Sequence, residues 1–419
     1  MGDFYHSSTG YPCGFLWSKY RKKVDNENLC TKYHEKNKFI LGKIMREDDM
    51  TPLEFLYYLG YSIKKRYALK NQKRLSNKVI SIGNLTLGGT GKTPATIVLA
   101  GEAKKRGFKP CILTRGYKGT AEGPCFVSKG NGPILDEHRA GDEALLMAEK
   151  LNDIPVIKGK DRYKAGLFAL SSLPSTLRPD LFILDDGFQH WRLFRDIDIL
   201  LIDSTNPFGN RRLLPIGSLR EPISAINRAD IIVLTKTPTH PSPSKVGIDS
   251  YRWAGKGRGN KSQMSKVKNL IEEIKRYNSK ASVLFAEHRP SKFIKTTGET
   301  MPVEWAKDKK LFGFGGIGNP QSFRATLLSV DINLTGFKAF RDHYRYNQSD
   351  IHTIIDDAKM GGAEWIVTTE KDIMRLKRLE IPKNLISLGI EFNVDKRFYE
   401  EVLGGIDGQI HQCQEQVKD

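Results

Sequence analysis

From residue 79 onward, short apolar runs alternate with longer stretches of mixed character. Val79, Ile80 and Ile82 are β-branched and flanked by polar residues, which predicts a strand entering a parallel sheet. Comparable runs at 110–114, 154–157, 181–184, 197–202 and 231–234 predict further buried strands, with a helix over 142–150 between two of them. Such alternation predicts an α/β fold, a parallel sheet with helices on both faces. After residue 236 the composition changes. Residues 237–262 carry Pro238, Pro241, Pro243 and a Lys/Gly-rich stretch, which predicts a surface loop. A charged helix over 266–277 and a strand over 281–286 follow. At 311–320 a strand, a glycine turn and an Asn–Pro helix start open a second, smaller α/β domain, to which 366–369 adds a strand. The chain divides accordingly into a polar extension (1–48), an amphipathic basic segment (49–78), a first α/β domain (79–280), a smaller α/β domain with linker strands (281–400) and a polar tail (401–419).

In the basic segment, Leu53, Leu56, Tyr57, Gly60, Ile63 and Tyr67 fall on one face of a predicted helix. Lys64, Lys65, Arg66, Lys70, Lys73, Arg74 and Lys78 follow. An aromatic, amphipathic helix leading into a cationic cluster suits the surface of an anionic lipid leaflet. A helix packed on its own domain, with a solvated linker, suits the same residues equally well. No apolar run is long enough to cross a bilayer, so attachment would be peripheral or monotopic. The formal net charge of +19 suits an acidic partner, whether nucleic acid, an anionic membrane face or a phosphorylated substrate, while a basic proteome or simple solubility accounts for charge alone as well. The five cysteines are scattered and without metal-ligand spacing, which predicts reduced thiols.

The glycines at the end of the first strand define the chemistry. Thr86, Leu87, Gly88, Gly89, Thr90, Gly91, Lys92 and Thr93 form a phosphate-binding loop between strand and helix. Gly88, Gly89 and Gly91 let the backbone curl around an anion with its N–H groups inward. Lys92 supplies a point charge to the terminal phosphates, and Thr93 a hydroxyl to Mg²⁺. Pro94 suits the first turn of the helix, whose N-terminus adds positive potential. The usual motif opens with glycine; here that position is Thr86. The architecture is therefore read as a nucleotide-binding parallel sheet of the P-loop NTPase kind. Thr235-Lys236-Thr237-Pro238 has proline where a guanine-reading aspartate would stand, which favours ATP.

Asp185 and Asp186 end the buried run at 181–184, where such an enzyme holds Mg²⁺ directly or through water. Gln189 and His190 follow and suit either active-site support or a structural role. Asp142 and Glu143 open a helix after Gly141; such acids are commonly caps that complement the helix dipole. A carboxylate is also what phosphoryl transfer to an alcohol uses to orient the hydroxyl and take its proton. Arg115, Tyr117, Lys160, Arg162, Arg211 and Arg212 lie after strands or in loops, where each suits a substrate phosphate or simple solvation. His343 lies in a polar cluster at 340–344, where by itself it suits a structural role, and 368–372 sits at a strand end as a turn or a domain-interface contact.

These motifs, in this order, resemble those of one family, the tetraacyldisaccharide 4′-kinases of lipid A synthesis. The resemblance runs from about residue 53 to about 395. It rests on residues 83–94, 113–117, 141–143, 184–190, Arg195-Asp196, 206–209, 213–215, 219–222, 316–320, Asp342-His343 and 368–372. It implies transfer of the γ-phosphoryl of ATP to the 4′-hydroxyl of an acylated disaccharide 1-phosphate lipid, giving lipid IVA. It implies Asp142 as catalytic base and His343 as its partner from the second domain. Lys92 and Thr93 match the family's phosphate loop, and Asp185 and Asp186 its acidic pair. It places the protein at the cytoplasmic face of the inner membrane, with an anionic membrane surface and not nucleic acid as its partner. A P-loop ATPase or GTPase acting as a switch or metallochaperone is the alternative that the glycine loop alone leaves open. A nucleic-acid-dependent ATPase rests on net charge only.

Overall fold

The computed structural model describes residues 50–237, 241–242, 252–253 and 260–404. The extension expected over 1–48, most of the loop expected after Thr237 and the tail beyond 404 lie outside the described residues. Two compact units divide between Phe55 and Leu56. Within the first, Thr51 caps helix α1 (Pro52–Lys70). Glu54 accepts from Thr51 N at 3.1 Å and Thr51 Oγ1 accepts from Glu54 N at 3.4 Å, a reciprocal cap that satisfies two otherwise orphaned donors.

The second unit is built on one sheet of 13 strands. Its first part comprises β1 (Lys78–Gly83), β2 (Pro110–Thr114), β3 (Cys125–Ser128), β4 (Val156–Lys158), β5 (Leu181–Asp185), β6 (Ile197–Asp203) and β7 (Ile231–Thr235). The strands β8 (Pro241–Ser242) and β9 (Arg252–Trp253) pair with each other, apart from this sheet. The remainder comprises β10 (Ser282–Lys295), β11 (Thr300–Pro302), β12 (Lys310–Gly315), β13 (Asn333–Ala339), β14 (Trp365–Thr369) and β15 (Leu385–Val394). The order across the sheet is β13-β12-β14-β15-β10-β7-β6-β1-β5-β2-β4-β3, with β11 beside β10. The pairing is parallel except for β3 with β4 and for β10 with β11 and β15. The α/β class and the mostly parallel sheet read from the sequence are both present.

Between the two halves the sheet is continuous. The expected strand over 281–286 runs on to Lys295 and changes partner as it goes. Ser282–Ala286 pairs in parallel with β7, and Ala286–Lys295 pairs antiparallel with β15. The apolar run ends at Ala286 because the second stretch has one solvent-facing side, so its residues alternate and include Glu287, Arg289 and Lys292.

Helices cover both faces: α2 (Lys92–Lys105), the short α3 (Glu137–Ala140), α4 (Asp142–Lys150), α5 (Arg162–Ser172), α6 (Asn260–Tyr277), α7 (Pro320–Leu328), α8 (Gln348–Met360) and α9 (Glu370–Leu376). On one face of the first half, Leu99 and Ala103 of α2 pack with Ile80, Ile112 and Ile183, and with Phe398, Val402 and Leu403 from residues 396–404. On the other, Phe182, Leu113 and Leu184 meet Ala165 and Ala169 of α5. Full burial of side chains such as Phe182 or Leu99 contributes about 1.5–3 kcal/mol each. β1 lies between β5 and β6: the chain runs from it to β2 on one side, and only later to β6 and β7 on the other. The crevice at its carboxyl end is the ligand position of such folds.

In α1, Leu56, Leu59, Ile63 and Tyr67 are exposed and spaced along one face. Tyr57, expected among them, turns the other way and donates to Arg220 O at 2.9 Å. Tyr61 on the same inner side donates to Glu221 Oε2 at 3.0 Å. Among the described residues, no helix is long and apolar enough to cross a membrane.

Candidate active site

The glycine loop turns at the carboxyl end of β1. Gly91 is the N-cap of α2 with φ 91°, and a Cβ there would sit 2.4 Å from His288 Nε2, so both the backbone and the space demand glycine. Leu87 N donates to Ser218 O at 2.7 Å, pinning the start of the loop. Thr86 is buried and forms a β-bridge with Leu219. That is where the usual opening glycine is absent: the segment is held by strand-like pairing, which a β-branched threonine suits. Lys92 Nζ donates to Asn84 Oδ1 at 3.2 Å and lies 3.7 Å from Asp186 Oδ1. Thr93 is buried, and Thr90 Oγ1 and Asn84 Nδ2 are buried with no partner among the described residues. Orphaned polar atoms in a glycine-rich turn at a helix N-terminus fit a phosphate ligand.

Asp185 and Asp186, adjacent in sequence, have opposite environments. Asp185 ends β5, fully buried, and accepts from Thr96 Oγ1 and Thr114 Oγ1 at 3.3 Å each. Burial, then the nearby carboxylates of Glu143 and Asp186, push its carboxyl upward. Asp186 has φ 49°, turning its side chain out of the strand line. Both of its oxygens accept from Arg220 Nη1 at 2.9 Å. Burial opposes its ionisation, but Lys92 and Arg220 outweigh that and hold it at about 2. Among the described residues, no three His, Cys, Asp or Glu side chains form a self-sufficient metal cage. Two carboxylates and the Thr93 hydroxyl are instead the donor set Mg²⁺ takes when nucleotide phosphates complete its shell.

Behind Asp186 lies a buried polar network. Glu221, with no exposed surface, accepts from Arg228 at 2.6 and 2.7 Å, from Gln189 Nε2 at 2.8 Å and from Tyr61. Gln189 Nε2 also donates to Asn84 O at 2.8 Å, so it supports the loop from below. Arg228 stacks 3.6 Å above the Phe188 ring. His190 is half-buried, and burial followed by Arg162 lowers its ring to about 3, a neutral imidazole. Arg162 is itself buried; burial lowers it to about 10 against the pull of Asp186 and Asp185, which places it beside the acidic pair.

Asp142 is brought in by geometry at Gly141, whose φ is 89° and where an added Cβ would stand 2.5 Å from Tyr117 O, so no side chain fits. Buried at the start of α4, Asp142 Oδ1 accepts from Glu143 N at 3.0 Å. Its Oδ2 lies 3.0 Å from His343 Nδ1, although the two residues are 201 positions apart. The Tyr117 ring packs 5.2 Å from His343, and Lys118 Nζ donates to His343 O at 3.2 Å. Glu143 pairs with Lys371 of α9. Burial opposes ionisation of Asp142, but the His343 bond, Arg375 and Lys371 outweigh it and hold the carboxyl well below the usual range. The pair can therefore orient a hydroxyl and offer it a proton acceptor.

Of the remaining expected residues, Arg115 is exposed at the end of β2, and its charge reaches Arg162. Arg211 ion-pairs with Glu273 of α6, a surface contact. Arg220 and Glu221 stood in the sequence as part of a motif without an assigned task. Arg375 was missed altogether: it lies one turn after Asp372, just beyond the 368–372 stretch read as a turn or a domain-interface contact.

The profile of a family described as tetraacyldisaccharide-1-P 4′-kinase matches residues 49–406. The chain belongs to that family. It is 38% identical over 337 residues to the tetraacyldisaccharide 4′-kinase of Syntrophus aciditrophicus, covering 79% of this chain and 84% of that protein. The tetraacyldisaccharide 4′-kinase of Desulfotalea psychrophila is 32% identical over 368 residues, 84% of this chain and 98% of that protein. A crystal structure of LpxK from Aquifex aeolicus in complex with ATP superposes with a TM-score of 0.62 at 30% identity, over 86% of this chain and 97% of that one. The glycine loop, the acidic pair and Asp142 all lie inside the matched span.

Proposed function

We propose that the chain transfers the γ-phosphoryl of ATP to the 4′-hydroxyl of tetraacyldisaccharide 1-phosphate, yielding lipid IVA. The observation that carries this reading is the 3.0 Å meeting of Asp142 and His343 across the cleft. A switch ATPase needs water and a partner protein; a carboxylate–imidazole pair drawn from two distant segments suits an alcohol acceptor. In this mechanism the loop N–H groups and Lys92 hold the β- and γ-phosphates, and Asp142 with His343 orients the acceptor hydroxyl and takes its proton. Thr93, Asp185 and Asp186 are the residues that would hold Mg²⁺, whose charge would offset that of the phosphates. Arg162, beside the acidic pair, and Arg115 and Tyr117 at the rim are the groups assigned to substrate. Glu143 fixes Lys371, and Gln189 with His190 supports the loop and the acidic pair.

The domains divide as residues 79–280 and 281–400, joined along β7 and β10 and bridged again by this pair. The exposed stripe Leu56, Leu59, Ile63 and Tyr67, flanked by Lys64, Arg66 and Lys70, docks on the anionic cytoplasmic face of the inner membrane, where an acylated substrate resides. The test is phosphotransfer from radiolabelled ATP to tetraacyldisaccharide 1-phosphate in detergent micelles, wild type beside Asp142→Ala. The expected outcome is labelled lipid from wild type and a loss of about 10²-fold or more in the variant. Release of free phosphate without labelled lipid would overturn the kinase reading.

A further inference from the structure

Arg375 is one of the most enclosed cations among the described residues, its side chain only 3% exposed. Its Nε donates to Asp142 Oδ2 at 3.0 Å, and its Nη2 bonds the same oxygen. Its Nη1 donates to Gly316 O at 2.7 Å and to Asp372 Oδ1 at 2.9 Å. Asp372, with no exposed surface, accepts in turn from Tyr346 Oη at 2.9 Å, from Thr369 Oγ1 at 2.7 Å and from Gly316 N at 3.2 Å. The planar fork of arginine is thus saturated on one edge by the carboxylate of the first half and on the other by a rigid cluster of the second. The same cluster holds His343, since His343 N donates to Gly316 O at 3.0 Å.

We propose that Arg375 is a positioning residue for the acid–base pair: its guanidinium clamps Asp142 against His343 and sets both relative to the Gly316–Asp372–Tyr346 framework. The proposal rests on the reading of Asp142 as the hydroxyl-activating group. Around it, α9 and α4 are joined by further ion pairs, Glu143 with Lys371, Glu149 with Lys377 and Lys150 with Glu370. Those pairs dock the helices; Arg375 alone among them reaches the Asp142 carboxylate. A displacement of about 1 Å in a positioning group is enough to cost about 10²-fold in rate.

The groups facing Asp142 are His343 from the loop after β13, Arg375 and Lys371 from α9, and Glu143 on its own helix. Lys118 approaches His343 from the loop after β2. Removing the Arg375 charge takes away the guanidinium that, with Lys371, holds the Asp142 carboxyl down, so the proton affinity of Asp142 rises. Loss of activity on the acid side then begins at higher pH.

The experiment measures kcat, KM for ATP and the pH profile of kcat/KM for Arg375→Met, Arg375→Lys and Asp142→Asn, with circular dichroism to confirm folding. For Arg375→Met, kcat is expected to fall by about 10²-fold with KM for ATP near wild type, and the acid limb to move up by about one pH unit or more. Arg375→Lys keeps the charge without the fork, so it should hold the acid limb near its wild-type position while kcat still falls. A wild-type kcat for Arg375→Lys would overturn the proposal even if Arg375→Met fails to fold. An unshifted acid limb in a folded Arg375→Met would overturn it too. Full activity in Asp142→Asn would instead sink the reading of Asp142 itself, so the two failures are distinguishable.

Discussion

Replacing Arg228 by methionine should strip a fully enclosed carboxylate of its cation. Glu221 has no exposed surface and accepts two of its four side-chain hydrogen bonds from Arg228, at 2.6 and 2.7 Å. The neutral donors Gln189 and Tyr61 remain, at 2.8 and 3.0 Å. Methionine approximates the arginine stem, so packing against Phe188 is partly kept while the charge is lost. Breaking a buried pair on one side costs about 3–5 kcal/mol, because the remaining charge stays desolvated and uncompensated. Urea denaturation at pH 7 of Arg228→Met, Glu221→Gln and the double variant forms a cycle that isolates the pair. The single Arg228→Met should lose about 3–5 kcal/mol, and the double variant should recover a large part of it. If Arg228→Met lies within about 1 kcal/mol of wild type, Glu221 is not an enclosed charge of the kind reasoned here.

Two further outcomes follow from the geometry. The Asp186 carboxyl is depressed to about 2, so its stabilisation is present above the unfolded value of about 3.9 and is lost as pH falls from there towards 2. The urea midpoint of wild type should drop across that window more steeply than that of Asp186→Asn, and parallel curves would contradict the assignment. Leu56 and Ile63 are each 61% exposed on α1, and burying such a side chain in lipid is worth about 1.5–3 kcal/mol. The double change Leu56→Asp with Ile63→Asp should therefore lower co-sedimentation with vesicles containing phosphatidylglycerol by at least about tenfold, whereas undiminished binding would remove α1 as the docking surface.

Local chemistry was legible in the sequence wherever one segment carries it. Residues 86–93 announce a phosphate loop because glycine, lysine and threonine must be contiguous to wrap an anion, and Asp185 shows itself by ending an apolar run. Boundaries shifted where neighbours decide them: the strand expected over 154–157 begins at Val156, since Pro155 has no N–H for the ladder. Asp142 illustrates what stayed hidden. Read locally it is a helix cap, and nothing near it in sequence says that His343 and Arg375 converge on its carboxylate; only the family resemblance pointed across the cleft. Arg375, 233 positions away from Asp142, carried no motif that distinguishes it from other helix-end cations.

The β10 strand, shared between β7 on one side and β15 on the other, also dictates an order of assembly. As the chain emerges from the ribosome, β7 is an open edge until residues 282–286 arrive, and the β15 edge of β10 waits for residues 386–394. A nascent chain halted in between exposes unpaired backbone of the sort that templates aggregation. Halted before residue 343, it would already carry the glycine loop, yet its Asp142 would have neither His343 nor Arg375 beside it. The glycine loop and the residues that meet at Asp142 are thus completed at different points of synthesis.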